Sequence, residues 1–368
     1  MTRRNDAMAP TAPTPLHVLL AGGGTGGHVF PALAVGEELQ ARGWRVSFTG
    51  STAGLEERLV TQRGLPFFPL PAKPVVGRGL VDRAKAFATL ARSGRAASKL
   101  IRQIGAHVVL GTGGYVSAPA VLGARLARRP ILLLEPNGKA GVANRWLSRW
   151  ATAAAVGYRE TIGDLKCPCF VTGVPVRSAF FSIPQTLPEG PARLLVLGGS
   201  QGAQQINKAM PETAARLLEK MPDLQILHQA GARNLDETRA AYQGMENVEV
   251  VPFLDDVAGA MADSHLLVSR AGAITLAEIC AAGRASLLVP LAIAQGHQVD
   301  NARLLADAGG AEMIRSDEFS AEKLAGRLEA LLADRARLAA MGRAARSLAR
   351  PRAVADIADR VEELGGVR

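Results

Sequence analysis

Apolar positions in this chain fall into short runs, each followed by glycines or a polar turn. "LHVLLAG" (16–22), "WRVSFTG" (44–50), "AHVVLGTGG" (106–114) and "PILLLEP" (130–136) each have the length of a buried strand. The stretches between them repeat apolar residues at helical spacing, the first predicted from Pro31 to Arg42. Near-continuous apolar strands alternating with helices predict βαβ units and a parallel sheet covered on both faces.

The series then restarts. "ARLLVLGGSQGA" (192–203) matches the opening strand and loop, with Gly198, Gly199 and Gly202 in the places of Gly22, Gly23 and Gly26. Farther on, "HLLVSRAG" (265–272) echoes "HVVLGTGG" (107–114). Two similar halves predict two Rossmann-like, doubly wound α/β domains. Such sheets bind ligands at the carboxyl ends of their strands, so paired domains facing each other make a cleft. The expected division is a tail over 1–15, a first domain over 16–175 and a linker over 176–192. A second domain follows over 193–350, and the last stretch, 351–368, is expected to pack back on the first. The linker reading rests on the three prolines of "IPQTLPEGPA" (183–192).

Composition narrows the classes. At 368 residues, 48% of them hydrophobic, the chain can fill two cores. Its net charge of +10 favours anionic partners, yet aromatics make up only 4%. That scarcity argues against a nucleic-acid stacking platform. Cys167, Cys169 and Cys280 cannot build a disulfide framework or complete a zinc site, which suits a reducing cytoplasm. The opening "MTRRNDAMAPTAPTP" lacks an apolar core and reads as a disordered tail rather than a secretory signal. No apolar run approaches the roughly 18 residues of a membrane span, so membrane contact is expected to be peripheral.

"AGGGTGGHVFP" (21–31) packs five glycines and a histidine between a strand and a helix. Gly22, Gly24 and Gly27 formally satisfy a dinucleotide fingerprint, but the second strand ends without an acid until Glu56, which weakens the NAD reading. A phosphate-loop NTPase is excluded because His28 stands where lysine belongs. What remains is backbone amides at a helix start, which favour negative charge. His28 lies in that first turn, where the helix dipole disfavours imidazolium and leaves the neutral form a base requires. The bland alternative is a histidine that merely caps or packs at the turn.

The second loop, "GGSQGA", carries Ser200 and Gln201 in place of a base and reads as a phosphate-binding loop. A plain strand–helix turn explains its glycines but not that polar pair. In "SRAGAITLAEICAAG" (269–283), Glu278 sits among apolar neighbours, where a carboxylate could hold both hydroxyls of a ribose. "AQGHQVDNA" adds His297, Gln298, Asp300 and Asn301, neutral and charged groups suited to sugar hydroxyls.

Taken in order, "GGGTGGHVFPALAVGEEL", "GTGGYVSAPA", "NGKAGVANRWL", "GVPVR", "LGGSQGAQQIN", "FLDDV", "SRAGAITLAEICAAG" and "HQVDNA" resemble the MurG family. These are the UDP-N-acetylglucosamine–lipid I N-acetylglucosaminyltransferases of peptidoglycan synthesis. The resemblance implies a GT-B fold and an inverting transfer that makes a β-1,4 bond to the acceptor's 4-hydroxyl. It implies that Ser200, Gln201 and Arg177 meet the donor's diphosphate, Leu254 lies on uracil, and Glu278 holds ribose. His297 and Gln298 would read the sugar, with Thr25, Gly26, Gly27 and Asn137 completing the donor side. Gly23, Gly24, Gly113, Gly114 and Tyr115 would form the lipid I site, and His28 would deprotonate the acceptor. No cofactor is implied as required; a divalent cation would at most stimulate, and "LDD" (254–256) reads as structural. Two departures stand out. "LEPN" (134–137) and "GVPVR" (173–177) put Pro136 and Val174 where the family has side-chain amides.

A lipid acceptor implies an inner-membrane surface on the cytoplasmic side. Between Lys73 and Arg102 stand eight basic residues and one acid, Asp82, with Leu80, Val81, Ala84, Phe87, Ala88 and Ala91 on one helical face. Such a segment suits an anionic membrane, although any helix covering a sheet is amphipathic too. Other cell-wall synthesis proteins are further expected partners, and nucleic acid is not. The competing functions are another UDP-sugar enzyme such as a UDP-N-acetylglucosamine 2-epimerase, an NAD-dependent oxidoreductase, and a non-catalytic nucleotide-binding scaffold at the membrane.

Overall fold

The computed structural model describes residues 15–52, 54–72, 80–199, 202–291 and 297–366. Two wholly parallel sheets organise them. The first carries β1 (His17–Ala21), β2 (Arg45–Gly50), β3 (Phe67–Pro69), β4 (Val108–Gly111), β5 (Ile131–Glu135), β6 (Ala153–Val156) and β7 (Cys169–Val171), in the order 3-2-1-4-5-6-7. The second carries β8 (Arg193–Leu197), β9 (Gln225–Gln229), β10 (Val248–Val251), β11 (Leu266–Ser269), β12 (Ala285–Leu288) and β13 (Ala311–Met313), in the order 10-9-8-11-12-13. Counted from its own first strand, the second sheet is also 3-2-1-4-5-6. Both are the doubly wound dinucleotide-type order, whose direction reverses beside the first strand of each half.

The duplication extends to side chains. Nδ1 of His107, just before β4, accepts the backbone N–H of His17 at 3.1 Å. Nδ1 of His265, just before β11, accepts the N–H of Arg193 at the same distance. Each histidine fixes the register of the central strand pair, which is why both halves begin their fourth strand with "H" and an apolar run.

The central strands β1, β4, β5, β6, β11 and β12 are buried on both faces, as near-continuous apolar runs require. The helix after β1 starts at Gly26 and runs to Ala41, five residues earlier than the sequence predicts. Pro31 lies inside it and leaves one helical N–H unmade, so its position mimics a helix start. The stretch 176–192, expected as a linker, is packed instead. Val176, Phe180 and Ile183 are buried in the second domain's core, and the helix Ser178–Phe181 forms there.

After the helix Arg335–Ser347 the chain returns to the first domain. The helix Ala353–Gly365 buries Ile357, Ala358 and Val361 against Leu39 and Trp44. Arg42 ties it down, donating to Asp359 at 2.6 Å and Glu362 at 2.9 Å. The residues around 173–177 and 347–353 are thus two crossings between the domains.

The helix Leu80–Ile104 packs along the helix Gly114–Ala127 so closely that a methyl on Gly123 would lie 2.5 Å from the Ala97 side chain. Ser93, Ala97, Ser98 and Ile101 are buried there, and Arg92, Arg95, Lys99 and Arg102 form an exposed basic stripe. Of the apolar face expected to meet lipid, Ala88 is exposed and Ala91 half-buried. The side chains of Leu80, Val81, Ala84 and Phe87, with residues 73–79, lie outside the described residues. Among the described residues no helix is long and apolar enough to cross a membrane.

Candidate active site

The carboxyl ends of both sheets face one another across a cleft of about 680 Å³, well within the range of small-ligand sites. Its first-domain wall is Thr25, Gly26, Gly27, His28, Phe30, Pro136 and Asn137; its second-domain wall includes Leu254, Arg270, Thr275, Glu278 and Gln298. Arg177, at the crossing, lies between them. The fold therefore gathers into one cavity nine of the residues expected at the site, Thr25, Gly26, Gly27, His28, Asn137, Arg177, Leu254, Glu278 and Gln298, from six separate stretches.

His28 is fixed by one bond. Its Nδ1 lies 2.8 Å from the Thr112 carbonyl, which can only accept, so the proton belongs on Nδ1 and Nε2 is left as the basic nitrogen. Thr112 also donates its hydroxyl to the His28 carbonyl at 2.7 Å, holding the loops after β1 and β4 together. Burial lowers the His28 pKa below the usual imidazole value, against the smaller opposing pull of the Glu135 carboxylate and the Thr112 carbonyl. Desolvation thus favours the neutral ring that a base requires.

Gly113 and Gly114, with φ of +89° and +71°, lead the backbone past the His28 ring. A methyl on Gly114 would lie 3.2 Å from that ring, so the close approach requires glycine as well as the positive φ. Tyr115 follows, exposed. At Gly23 and Gly24 the loop turns toward a buried carboxylate. The Gly24 N–H donates to Glu56 Oε2 at 3.2 Å, and Gly23 is buried against the same carboxylate. The Gly24 amide is therefore already bonded. Among the described residues the amides of Gly26 and Gly27 have no protein acceptor, and both line the cleft.

Asn137 is held by Glu135, which the sequence reading passed over. Glu135 is buried at the end of β5; its Oε1 accepts the backbone and side-chain N–H groups of Asn137, and its Oε2 those of Gly141 and the Asn144 amide, all within 2.8–3.1 Å. Four donors on one carboxylate order the whole 136–144 loop. Pro136 lines the cleft as expected, whereas Val174 is buried against Gly157 and faces a smaller apolar cavity near Tyr158 and Leu304.

On the opposite wall Arg177 stacks between Phe30 and Phe180, its guanidinium carbon 5.3 and 5.1 Å from the two rings. Its Nη2 stands 3.9 Å from Glu278 Oε1, and its Nε is buried without a partner. Burial pushes the Glu278 pKa up to about 7, with Arg177 pulling the other way. Arg270, a cation missed in the sequence, reaches the cleft while donating to the Val289 carbonyl and the Gln205 side chain. Gln298 accepts the Leu291 N–H at 3.0 Å. Asp256 caps the helix Val257–Ala262 by accepting from Gly259 at 2.9 Å, the structural role read for it. Ser200 and Gln201 lie outside the described residues, as does the side chain of His297; their neighbours Gly198, Gly199 and Gly202 border the cleft.

Residues 18–156 match the Glycosyltransferase family 28 N-terminal domain, and residues 193–361 match the C-terminal domain of the same family. The chain is 42% identical, over 94% of its length and 98% of the relative's, to the UDP-N-acetylglucosamine–N-acetylmuramyl-(pentapeptide) pyrophosphoryl-undecaprenol N-acetylglucosamine transferase of Halorhodospira halophila. It is 41% identical to the enzyme of that name from Aromatoleum aromaticum, over 95% of this chain and 98% of the other. The crystal structure of Acinetobacter baumannii MurG superposes with a TM-score of 0.74 at 33% identity, covering 95% of this chain and all of that one.

Proposed function

We infer the reaction from one premise: the chain belongs to glycosyltransferase family 28 and has that family's two-domain GT-B architecture. It is a hexosyltransferase that moves N-acetylglucosamine from UDP-N-acetylglucosamine to the lipid-linked N-acetylmuramyl-pentapeptide, forming lipid II for peptidoglycan. The epimerase and scaffold readings have no comparable support, since relatives spanning nearly the entire chain carry the transferase's name.

The observation that carries the mechanism is His28, neutral, with Nδ1 committed to Thr112 and Nε2 free among the described residues, in the same cavity as Arg177 and Glu278. The acceptor's 4-hydroxyl gives its proton to Nε2 as its oxygen attacks the anomeric carbon. That C–O bond forms while the bond to the diphosphate breaks, and its electron pair leaves with UDP. One displacement of this kind inverts the sugar from α to β. Arg177, Arg270 and the backbone amides around Gly198–Gly202 stabilise the leaving diphosphate. Glu278 accepts from ribose hydroxyls, Phe253 and Leu254 cover the base, and Gln298 meets the sugar. Asn137, braced by Glu135, positions the reacting groups from the acceptor side. The reading requires no resident metal, because two arginines supply the countercharge. The exposed stripe Arg92, Arg95, Lys99 and Arg102 faces the anionic cytoplasmic leaflet that holds the acceptor.

The test is UDP release from UDP-N-acetylglucosamine, with and without a lipid I analogue, for wild type and His28→Ala. Release should require acceptor and fall about 10²–10⁴-fold in the variant, with UDP affinity preserved. Acceptor-independent release or sugar isomerisation would favour the epimerase instead.

A further inference from the structure

The two glycine loops look alike in sequence, yet among the described residues a carboxylate lies beneath the first and an amide beneath the second. Glu56 is fully buried in the first turn of the helix Leu55–Thr61. Its Oε2 accepts the Gly24 N–H at 3.2 Å; its Oε1 accepts the Ser51 N–H at 2.9 Å and the Ser51 hydroxyl. All three partners are donors, the arrangement an ionised carboxylate needs. Three glycines make the hole it fills. A methyl on Gly23 would lie 2.4 Å from Glu56 Oε1, one on Gly50 2.5 Å from its Cγ, and one on Gly54 2.6 Å from its Cδ.

The second half differs at the matching place. After β9 the side chain nearest the loop is Asn234, whose Nδ2 would lie 2.6 Å from a methyl on Gly202. That group is neutral, and its Nδ2 also donates to the Ala230 carbonyl at 3.4 Å. One loop thus rests on an acid and the other on an amide.

We propose that Glu56 is a specificity-determining residue: its carboxylate occupies the anion position of the first glycine loop and closes that loop to phosphate, so only the second takes a nucleotide diphosphate. This rests on the reading above that the second loop is the donor site. The glycines around Glu56 accordingly make room for an internal anion rather than an external one. An incoming diphosphate is repelled by Glu56 and finds the Gly24 amide already bonded. Substrate is left with the cleft-facing amides of Gly26 and Gly27.

Titration calorimetry with pyrophosphate, in saturating UDP so that the donor site is filled, tests this on wild type and Glu56→Ala. Wild type should take none; Glu56→Ala should take one per chain, at least about tenfold tighter than any residual wild-type binding. Thermal unfolding gives a second readout that serves even a destabilised variant. Formate should raise the Tm of Glu56→Ala by replacing the lost carboxylate and leave wild type unmoved. Pyrophosphate bound by wild type beside UDP, or a variant indistinguishable from wild type toward both anions, would overturn the proposal. Failure of wild type to bind UDP would instead strike the donor-site reading.

Discussion

Arg177 Nη2 stands 3.9 Å from Glu278 Oε1, near enough to feel its charge and too far for a good hydrogen bond. Both line the cleft, and their weak pairing leaves each available for ligand. Burial holds the Glu278 pKa up near 7, so the ionised form is the costly one in the empty protein.

A pH dependence of donor binding follows. If Glu278 holds the ribose as proposed, its hydroxyls donate to the ionised carboxylate, so UDP affinity should rise about tenfold between pH 6 and pH 8, as a midpoint near 7 dictates. Calorimetric Kd values across that range should lose the slope in Glu278→Gln. Arg177→Met should move the midpoint upward, because Arg177 favours the ionised form. For the empty protein the sign reverses. Glu278 contributes stability that is present below about pH 4.5 and lost as pH rises through about 7. A flat UDP profile in wild type would mean Glu278 is ionised throughout.

The returning C-terminal helix is held mainly by apolar packing. Ile357 is fully buried, and Ile357→Ala should cost about 2–5 kcal/mol. Arg42 is partly exposed although it meets three carboxylates, so Arg42→Ala should cost only about 1 kcal/mol. Urea unfolding of the two variants gives the order; a larger loss for Arg42→Ala would show that the ion pairs dominate.

Arg284 is a cation buried entirely among carbonyls. It donates to Met261, Pro184 and Ala262 at 2.9–3.1 Å, pinning the 183–185 segment to the end of a helix. Arg284→Met would leave those carbonyls unpaired and should lower stability by about 3 kcal/mol. Arg284→Lys should recover little, since one ammonium cannot span the fork. Tm values of both variants decide it.

For the basic stripe, Arg92→Glu, Arg95→Glu and Lys99→Glu combined should weaken binding to vesicles containing phosphatidylglycerol by at least about 10²-fold, at roughly 1 kcal/mol per charge. Binding to phosphatidylcholine alone should not change. Vesicle sedimentation at low and moderate salt reads this, and equal binding by wild type and variant would move the membrane surface elsewhere.

The repeat of Gly22 and Gly198 after their strands was legible because a strand, a glycine turn and a helix are local patterns. So was His28, which stands in the loop it serves. Glu56 and Glu135 were not. Each acts on groups brought to it by folding, and Glu56 could be read only as an acid arriving too late after β2. Its signal was present as Gly50 and Gly54 on either side, but glycines that make room for a neighbour look like any turn. The pairing of Arg177 with Glu278, a hundred positions apart, comes from the packing of the helix Ser178–Phe181 on the second domain's core, which no local spacing carries. Pro31 misled for the opposite reason, since a proline that marks a helix start stands here one turn inside.

The docking of Ala353–Gly365 on Trp44 and Leu39 also fixes an order of events during synthesis. The first domain is encoded first, yet a wall of its core is supplied by a helix encoded after the whole second domain. The second domain, contiguous in the chain, can complete itself while the first still lacks that wall. Nascent chains halted before residue 353 should carry a complete second domain and an unfinished first one, with Trp44 open to water. Completion of the first domain's core therefore waits on residues 353–365, and their removal would reopen the part of the fold made first.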